Sequence, residues 1–111
     1  MLIGELLFNQ PTTPVEPVYT GTISRGGNSA NFYVDVIQRS GSATLEIDIE
    51  HKNFNEDDWT TAGSIGPISA TGLTAKVTAN NLREEIRLKV EVTGGTGAWM
   101  RVLFLPPVWI D

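Results

Sequence analysis

The chain contains no cysteine and a single histidine, His51. That excludes disulfide staples, thiolate zinc sites and a cysteine nucleophile, leaves no second histidine for a histidine-rich metal site, and leaves the redox compartment open. Basic side chains are also scarce, 8 against 13 acidic ones, for a formal net charge of −5. A chain whose main task is gripping a polyanionic backbone carries the opposite balance, so nucleic acid is not an expected partner. A long apolar run is missing too. The opening "MLIGELLF" holds Glu5, lacks a basic start and falls far short of the ~20 apolar residues that cross a bilayer, so neither a signal peptide nor a membrane anchor is expected. With no glycine-rich loop between a strand and a helix, nucleotide binding has no motif to rest on.

What the sequence does have is a period of two. In "TLEIDIEH" Leu45, Ile47, Ile49 and His51 share one parity, with Thr44, Glu46, Asp48 and Glu50 on the other. "LREEIRLKVEV" sets Leu82, Ile86, Leu88, Val90 and Val92 against Arg83, Glu85, Arg87, Lys89 and Glu91. A helical stripe from Leu82 would need core residues at Glu85 and Lys89, so the strand reading fits better. Clusters such as "RGGNS", "RSGS", "GPISATG" and "TGGTG" supply the turns between the runs. The pattern predicts strands over Val18–Ser24, Asn31–Arg39, Thr44–Lys52, Trp59–Ile65, Leu73–Ala79, Leu82–Thr93 and Ala98–Leu105. At 111 residues this is one domain, and the spacing predicts an all-β fold, an antiparallel β-sandwich of jelly-roll type over residues 18–111.

Both ends depart from that pattern. Three prolines in "NQPTTPVEP" cannot donate to a ladder, which predicts that residues 1–17 form an extended arm tipped by Leu2, Ile3, Leu6, Leu7 and Phe8. At the other end "AWMRVLFLPPVWID" is apolar on both parities, and Leu105, Val108, Trp109 and Ile110 form an apolar tail around a Pro-Pro break. Such ends either fold back over the sheet edges of their own domain or dock on another subunit. The nine apolar residues just named are the candidate partner-binding set.

Sites for chemistry are weak by comparison. Asn53, Asn55 and Asp57 have the alternate spacing of a calcium loop, but the sixth position is Asp58 where glycine is needed and the twelfth is Ser64 where a glutamate should close the site. The expected role is a hairpin connection whose side chains bond backbone. Glu46, Asp48 and Glu50 read as the wet side of one strand rather than as a facing pair of glycosidase carboxylates, and His51 reads as a packing residue at a strand end. No catalytic residue, metal or cofactor is expected.

The pattern as a whole carries a resemblance. A strand at Leu45–Glu50, a polar loop at Asn53–Asp58, Trp59-Thr60, the turn Ile68–Gly72, the "GGT" of Gly94–Thr96 and the pair Arg101-Val102 together resemble the small capsid decoration proteins, of staple or cement type, found on tailed bacteriophages such as the epsilon15-like podoviruses. The resemblance implies a jelly-roll-like sandwich on the virion exterior, a homodimer that binds the major capsid protein and clamps neighbouring capsomers. A different class of function shares the architecture: a carbohydrate- or receptor-binding module of a tail fibre or secreted protein, with Tyr19, Tyr33, Trp59 and Trp99 as candidate aromatic contacts.

Overall fold

The computed structural model describes residues 17–94 and 98–110, and residues 4–10 by their backbone. Among the described residues there are twelve strands and no helix: β1 (Gly4–Gln10), β2 (Val18–Tyr19), β3 (Ile23–Ser24), β4 (Ala30–Phe32), β5 (Val34–Arg39), β6 (Thr44–Lys52), β7 (Thr60–Ile68), β8 (Gly72–Leu73), β9 (Val77–Ala79), β10 (Glu85–Thr93), β11 (Ala98–Phe104) and β12 (Val108–Trp109). Every pairing is antiparallel.

One layer is the long sheet. Its centre is β10, flanked on one side by β2 and β3 and on the other by β6, with β7 outermost. The second layer is β1-β11-β5-β8, continued by β12-β4-β9 across short breaks at Tyr33, residues 74–76 and residues 105–107. Hydrogen bonds bridge the breaks, from the Leu105 N–H to the Tyr33 carbonyl at 3.4 Å and from the Thr74 N–H to the Val34 carbonyl at 2.9 Å. The two layers make the antiparallel β-sandwich that the alternation predicts.

The alternation also decides the core. Leu45, Ile47 and Ile49 of β6 and Ile86, Leu88, Val90 and Val92 of β10 meet Phe32, Val34, Val36, Met100, Val102 and Phe104 of the opposing layer in a single buried cluster. Burying a side chain of this size stabilises by about 1.5–3 kcal/mol, so these rows hold the layers together.

Several expected boundaries move. Val18–Ser24 is two short strands rather than one, and Asn31–Arg39 is interrupted at Tyr33. β10 starts at Glu85 rather than Leu82, because the backbone just before it is used for cross-links: the Leu82 N–H donates to the Asn28 carbonyl at 2.8 Å, and the Leu82 carbonyl accepts from Arg25 Nη1. β7 runs three residues further than expected, past Gly66 and Pro67, which stand in a bulge opposite Glu46.

The larger correction concerns the arm. Gly4–Gln10 pairs with Ala98–Phe104 over seven residues, from Gly4 opposite Phe104 to Gln10 opposite Ala98. The prolines begin only at Pro11, so nothing in 4–10 prevents a ladder, and without β1 the outer edge of β11 would be an open row of backbone donors and acceptors. The tail takes the first of the two courses open to it and folds back. Val108 and Trp109 form β12, paired with Asn31 and Ala30, and the Ile110 N–H donates to the Ser29 carbonyl at 2.8 Å.

Candidate functional site

The outward parity of β6 and β10 is charged, and antiparallel register brings those charges face to face. Glu85 stands opposite Lys52, Arg87 opposite Glu50, Lys89 opposite Asp48 and Glu91 opposite Glu46. Two ion pairs cross the strands, Lys52–Glu85 at 3.4 Å and Arg87–Glu50 at 2.8 Å, and a third joins Lys89 to Glu91 two residues further along β10 at 3.6 Å. Asp48 accepts a hydrogen bond from the Ser64 hydroxyl at 2.9 Å. Among the described residues no ion pair involves Glu46 or Asp48, so the surplus negative charge of this face sits on those two.

Two aromatics from opposite edges lean over the same face. Tyr19 on β2 and Trp59, just ahead of β7, each have their ring against the Arg87 guanidinium, with ring centroids 4.1 and 4.4 Å from its central carbon. Lys52 Nζ lies 5.4 Å from the Trp59 ring. A cation over an aromatic face is held by the ring's quadrupole, and Arg is suited to it because its weakly hydrated, planar group stacks while still hydrogen-bonding at its edge. The outcome is a ridge running Tyr19, Arg87, Trp59 and Lys52 across the sheet, pinned from beneath by the bond from Arg87 Nε to Glu50. Beside it lies an open depression of about 170 Å³ lined by Glu46, Asp48, Ser64, Lys89 and Glu91.

The acidic loop after β6 has a different job. Its turn closes with the Glu56 N–H donating to the Asn53 carbonyl at 3.0 Å, while the Glu56 carboxylate accepts the Asn53 N–H at 2.7 Å and bonds Arg83 Nη1 through both oxygens. The Phe54 N–H donates to the Glu84 carboxylate, and Asn53 Oδ1 accepts the Glu84 N–H. The loop is therefore a clasp on the strand-entry segment 82–84. His51 completes it: buried at the end of β6, its Nδ1 accepts the Arg83 N–H at 3.1 Å. Burial first, then the charge of Arg83, push the imidazole below its ordinary value, against the opposing pull of Glu56.

Comparisons with protein-family models, with curated proteins and with solved structures found no match.

The candidate partner-binding residues are split by the fold. Leu2 and Ile3 lie outside the described residues. Leu6, Leu7 and Phe8 belong to β1, opposite Val102, Arg101 and Met100. Leu105 is half-buried. Trp109 packs on the rim of the chain's own core and lies so close to Gly26 that a Cβ there would stand 2.7 Å from its Nε1. Val108 and Ile110 remain outward, 53% and 50% exposed. Val108 lies in β12 and Ile110 just past it, and β12 ends its sheet among the described residues. Folding back and exposing an apolar face thus coexist in one segment. Of the four candidate sugar-contacting aromatics, the fold brings Tyr19 and Trp59 together over one face, whereas Tyr33 and Trp99 belong to the opposite layer. Sequence reasoning missed Arg87 and Lys52. The alternation marked Arg87 as outward, but which ring each cation meets depends on cross-strand register and on where the 53–59 loop lays Trp59.

Proposed function

We propose that this chain is a structural binding module: a capsid decoration protein that seats on the major capsid protein of a tailed bacteriophage, from outside the shell, and clamps neighbouring capsomers. The observation that carries the reading is the C-terminal edge, where Val108 in β12 and Ile110 just beyond it keep about half their surface in solvent on a strand that has one unpaired side among the described residues. Exposed apolar residues on an edge strand favour a partner that covers them, by side-chain burial and by continuation of the ladder. The resemblance of the Leu45–Val102 pattern to staple and cement proteins supplies the kind of partner. A repeating lattice also relaxes the demand on each contact, because linked copies rebind at high effective concentration. The chain works as a homodimer in this reading and needs neither cofactor nor catalytic group.

Co-sedimentation with undecorated shells tests it. Val108→Asp with Ile110→Asp should leave the β-type circular dichroism spectrum intact and abolish occupancy. Unchanged occupancy, or a strictly monomeric wild-type protein in sedimentation equilibrium with no paired copies on the shell, defeats the proposal.

A further inference from the structure

The outer face of the long sheet is remote in sequence from the C-terminal edge and has a chemistry of its own. Consecutive outward rows across it are Arg87 with Glu50, then Lys89 with Asp48 and Ser64, then Glu91 with Glu46. Each row is two residues from the next, about 7 Å along the strands. The aromatic ridge stands on the first row and the depression occupies the next two. We propose that this ridge and depression form a glycan-binding site that selects neutral oligosaccharides.

Four features carry the assignment. The rings are presented ready for contact: Arg87 occupies one side of both Tyr19 and Trp59, which fixes their orientation, while Tyr19 keeps 46% of its surface in solvent. An aromatic side chain offers a large apolar area at low entropic cost, which matches the C–H face of a sugar ring. Next to it the depression combines carboxylate acceptors at Glu46, Asp48 and Glu91 with the Lys89 ammonium, which has three N–H donors and only one carboxylate partner, and with the Ser64 hydroxyl, which donates to Asp48 and can still accept, the mix of donors and acceptors that vicinal sugar hydroxyls require. At about 170 Å³ and open to one side it is smaller than the roughly 300–1,000 Å³ clefts that enclose drug-sized ligands, so it accommodates one ring of a chain lying across the sheet. Charge then sets the selection. The three cations of the face are already paired, and the surplus resides on Glu46 and Asp48, so a uronate or sulfated sugar meets uncompensated like charge. A site with a single enclosed ring binds weakly, with a dissociation constant of about 0.1–1 mM.

The test is titration of the full chain, followed by proton–nitrogen correlation spectra, with cellohexaose, xylohexaose, maltohexaose and chitohexaose as neutral probes and hexagalacturonate as the acidic one. At least one neutral probe should shift the backbone amides of Glu46, Ser64 and Lys89 and the indole N–H of Trp59 saturably. Tyr19→Ala should weaken that binding at least tenfold with the rest of the spectrum unmoved, and Glu46→Gln with Asp48→Asn should narrow the gap between the neutral and acidic probes. No shift with any neutral probe at about 1 mM overturns the site, as do shifts confined to other surfaces or a Tyr19→Ala protein that binds as well as wild type. Hexagalacturonate binding as tightly as the best neutral probe overturns the selectivity. Each result is independent of occupancy on shells, which reports on β12.

Discussion

β7 and β10 are both nine residues long and both pair with β6, yet they follow opposite rules. β10 alternates without a fault, every second side chain buried from Ile86 to Val92, and keeps an unbroken nine-residue register with β6. β7 fully buries only Ile65, and its register shifts twice. The difference is position. β10 has neighbours on both sides and one face against the core, so a slip of one residue would move four apolar side chains into water. β7 is an edge, free to bulge, and carries Gly66 and Pro67 where a central strand could not. Central strands fix the fold; the surfaces available for partners gather at the edges and on the wet face.

The comparison breaks most clearly at β10. Ile86→Ala or Leu88→Ala removes a side chain 1% or 3% exposed from the layer interface and should cost about 2–5 kcal/mol, read as a shift in the urea midpoint with the slope retained. Ile65→Ala on β7 should cost less, since the edge relaxes around the cavity. If Ile65→Ala proves as costly as Leu88→Ala, the two strands contribute alike and the contrast fails.

Gly66→Ala sharpens the same contrast from the other side. Gly66 has φ = 106°, a conformation that residues with a Cβ rarely adopt, and a Cβ there would lie 2.6 Å from the Leu45 carbonyl oxygen. The bulge depends on this glycine, so alanine should destabilise by about 1–3 kcal/mol, although the residue is exposed. Exposed Thr61→Ala on the same strand should be nearly silent in the same urea experiment. Equal midpoints for the two variants would show that the edge absorbs the extra carbon.

How much of this was legible in the sequence follows the same division. The inward rows of β6 and β10 and the packing role of His51 could be read off, because alternation is a local signal. β1 could not: the prolines of 11–17 dominate their neighbourhood, and a strand pairing with residues some ninety positions later leaves no local mark. β12 was hidden behind Pro106-Pro107, which end β11 but still allow a new strand on β4. The ridge was half visible, its aromatics recognisable as types, its cations only as a wet face.

His51 allows a pH experiment on the clasp between the 53–59 loop and β10. Its imidazole is pushed below the ordinary value in the folded protein and returns to about 6.5 on unfolding, so the unfolded chain binds more protons between those values. Stability is therefore full above pH ~6.5, falls as pH drops through the window between the unfolded and the lowered folded value, and levels below it. Protonation at Nδ1 also abolishes the acceptor for the Arg83 N–H. In His51→Asn, whose amide oxygen can take the same N–H, the urea midpoint should change less between pH 7 and pH 5 than in wild type. A parallel pH response in both proteins would assign the acid sensitivity elsewhere.

The smallest expected effect lies on the wet face and asks whether the ridge is a built feature or two rings that happen to overhang an arginine. Arg87 makes two stacking contacts and one charged hydrogen bond with only partial exposure, its side chain 23% accessible and that of Glu50 12%. A cation over an aromatic ring at a partly exposed site contributes about 0.5–1 kcal/mol, so Arg87→Ala should cost about 1–2 kcal/mol when the lost stem packing is included. Lysine keeps the charge but has no planar group to lie between two rings while bonding Glu50 at its edge, so Arg87→Lys should recover less than half of that loss. The discriminating measurement is a double-mutant cycle between Arg87→Ala and Tyr19→Ala by urea denaturation. Tyr19 is an exposed residue on a two-residue edge strand, so its coupling to Arg87 is dominated by the stacking itself. A coupling of about 0.5–1 kcal/mol is expected, decreasing little in high salt because the attraction acts at contact distance rather than across solvent. Additive variants, with no coupling beyond error, would mean that the rings and Arg87 sit together without holding one another, and the wet face of the long sheet would then be as loosely organised as the edge of β7.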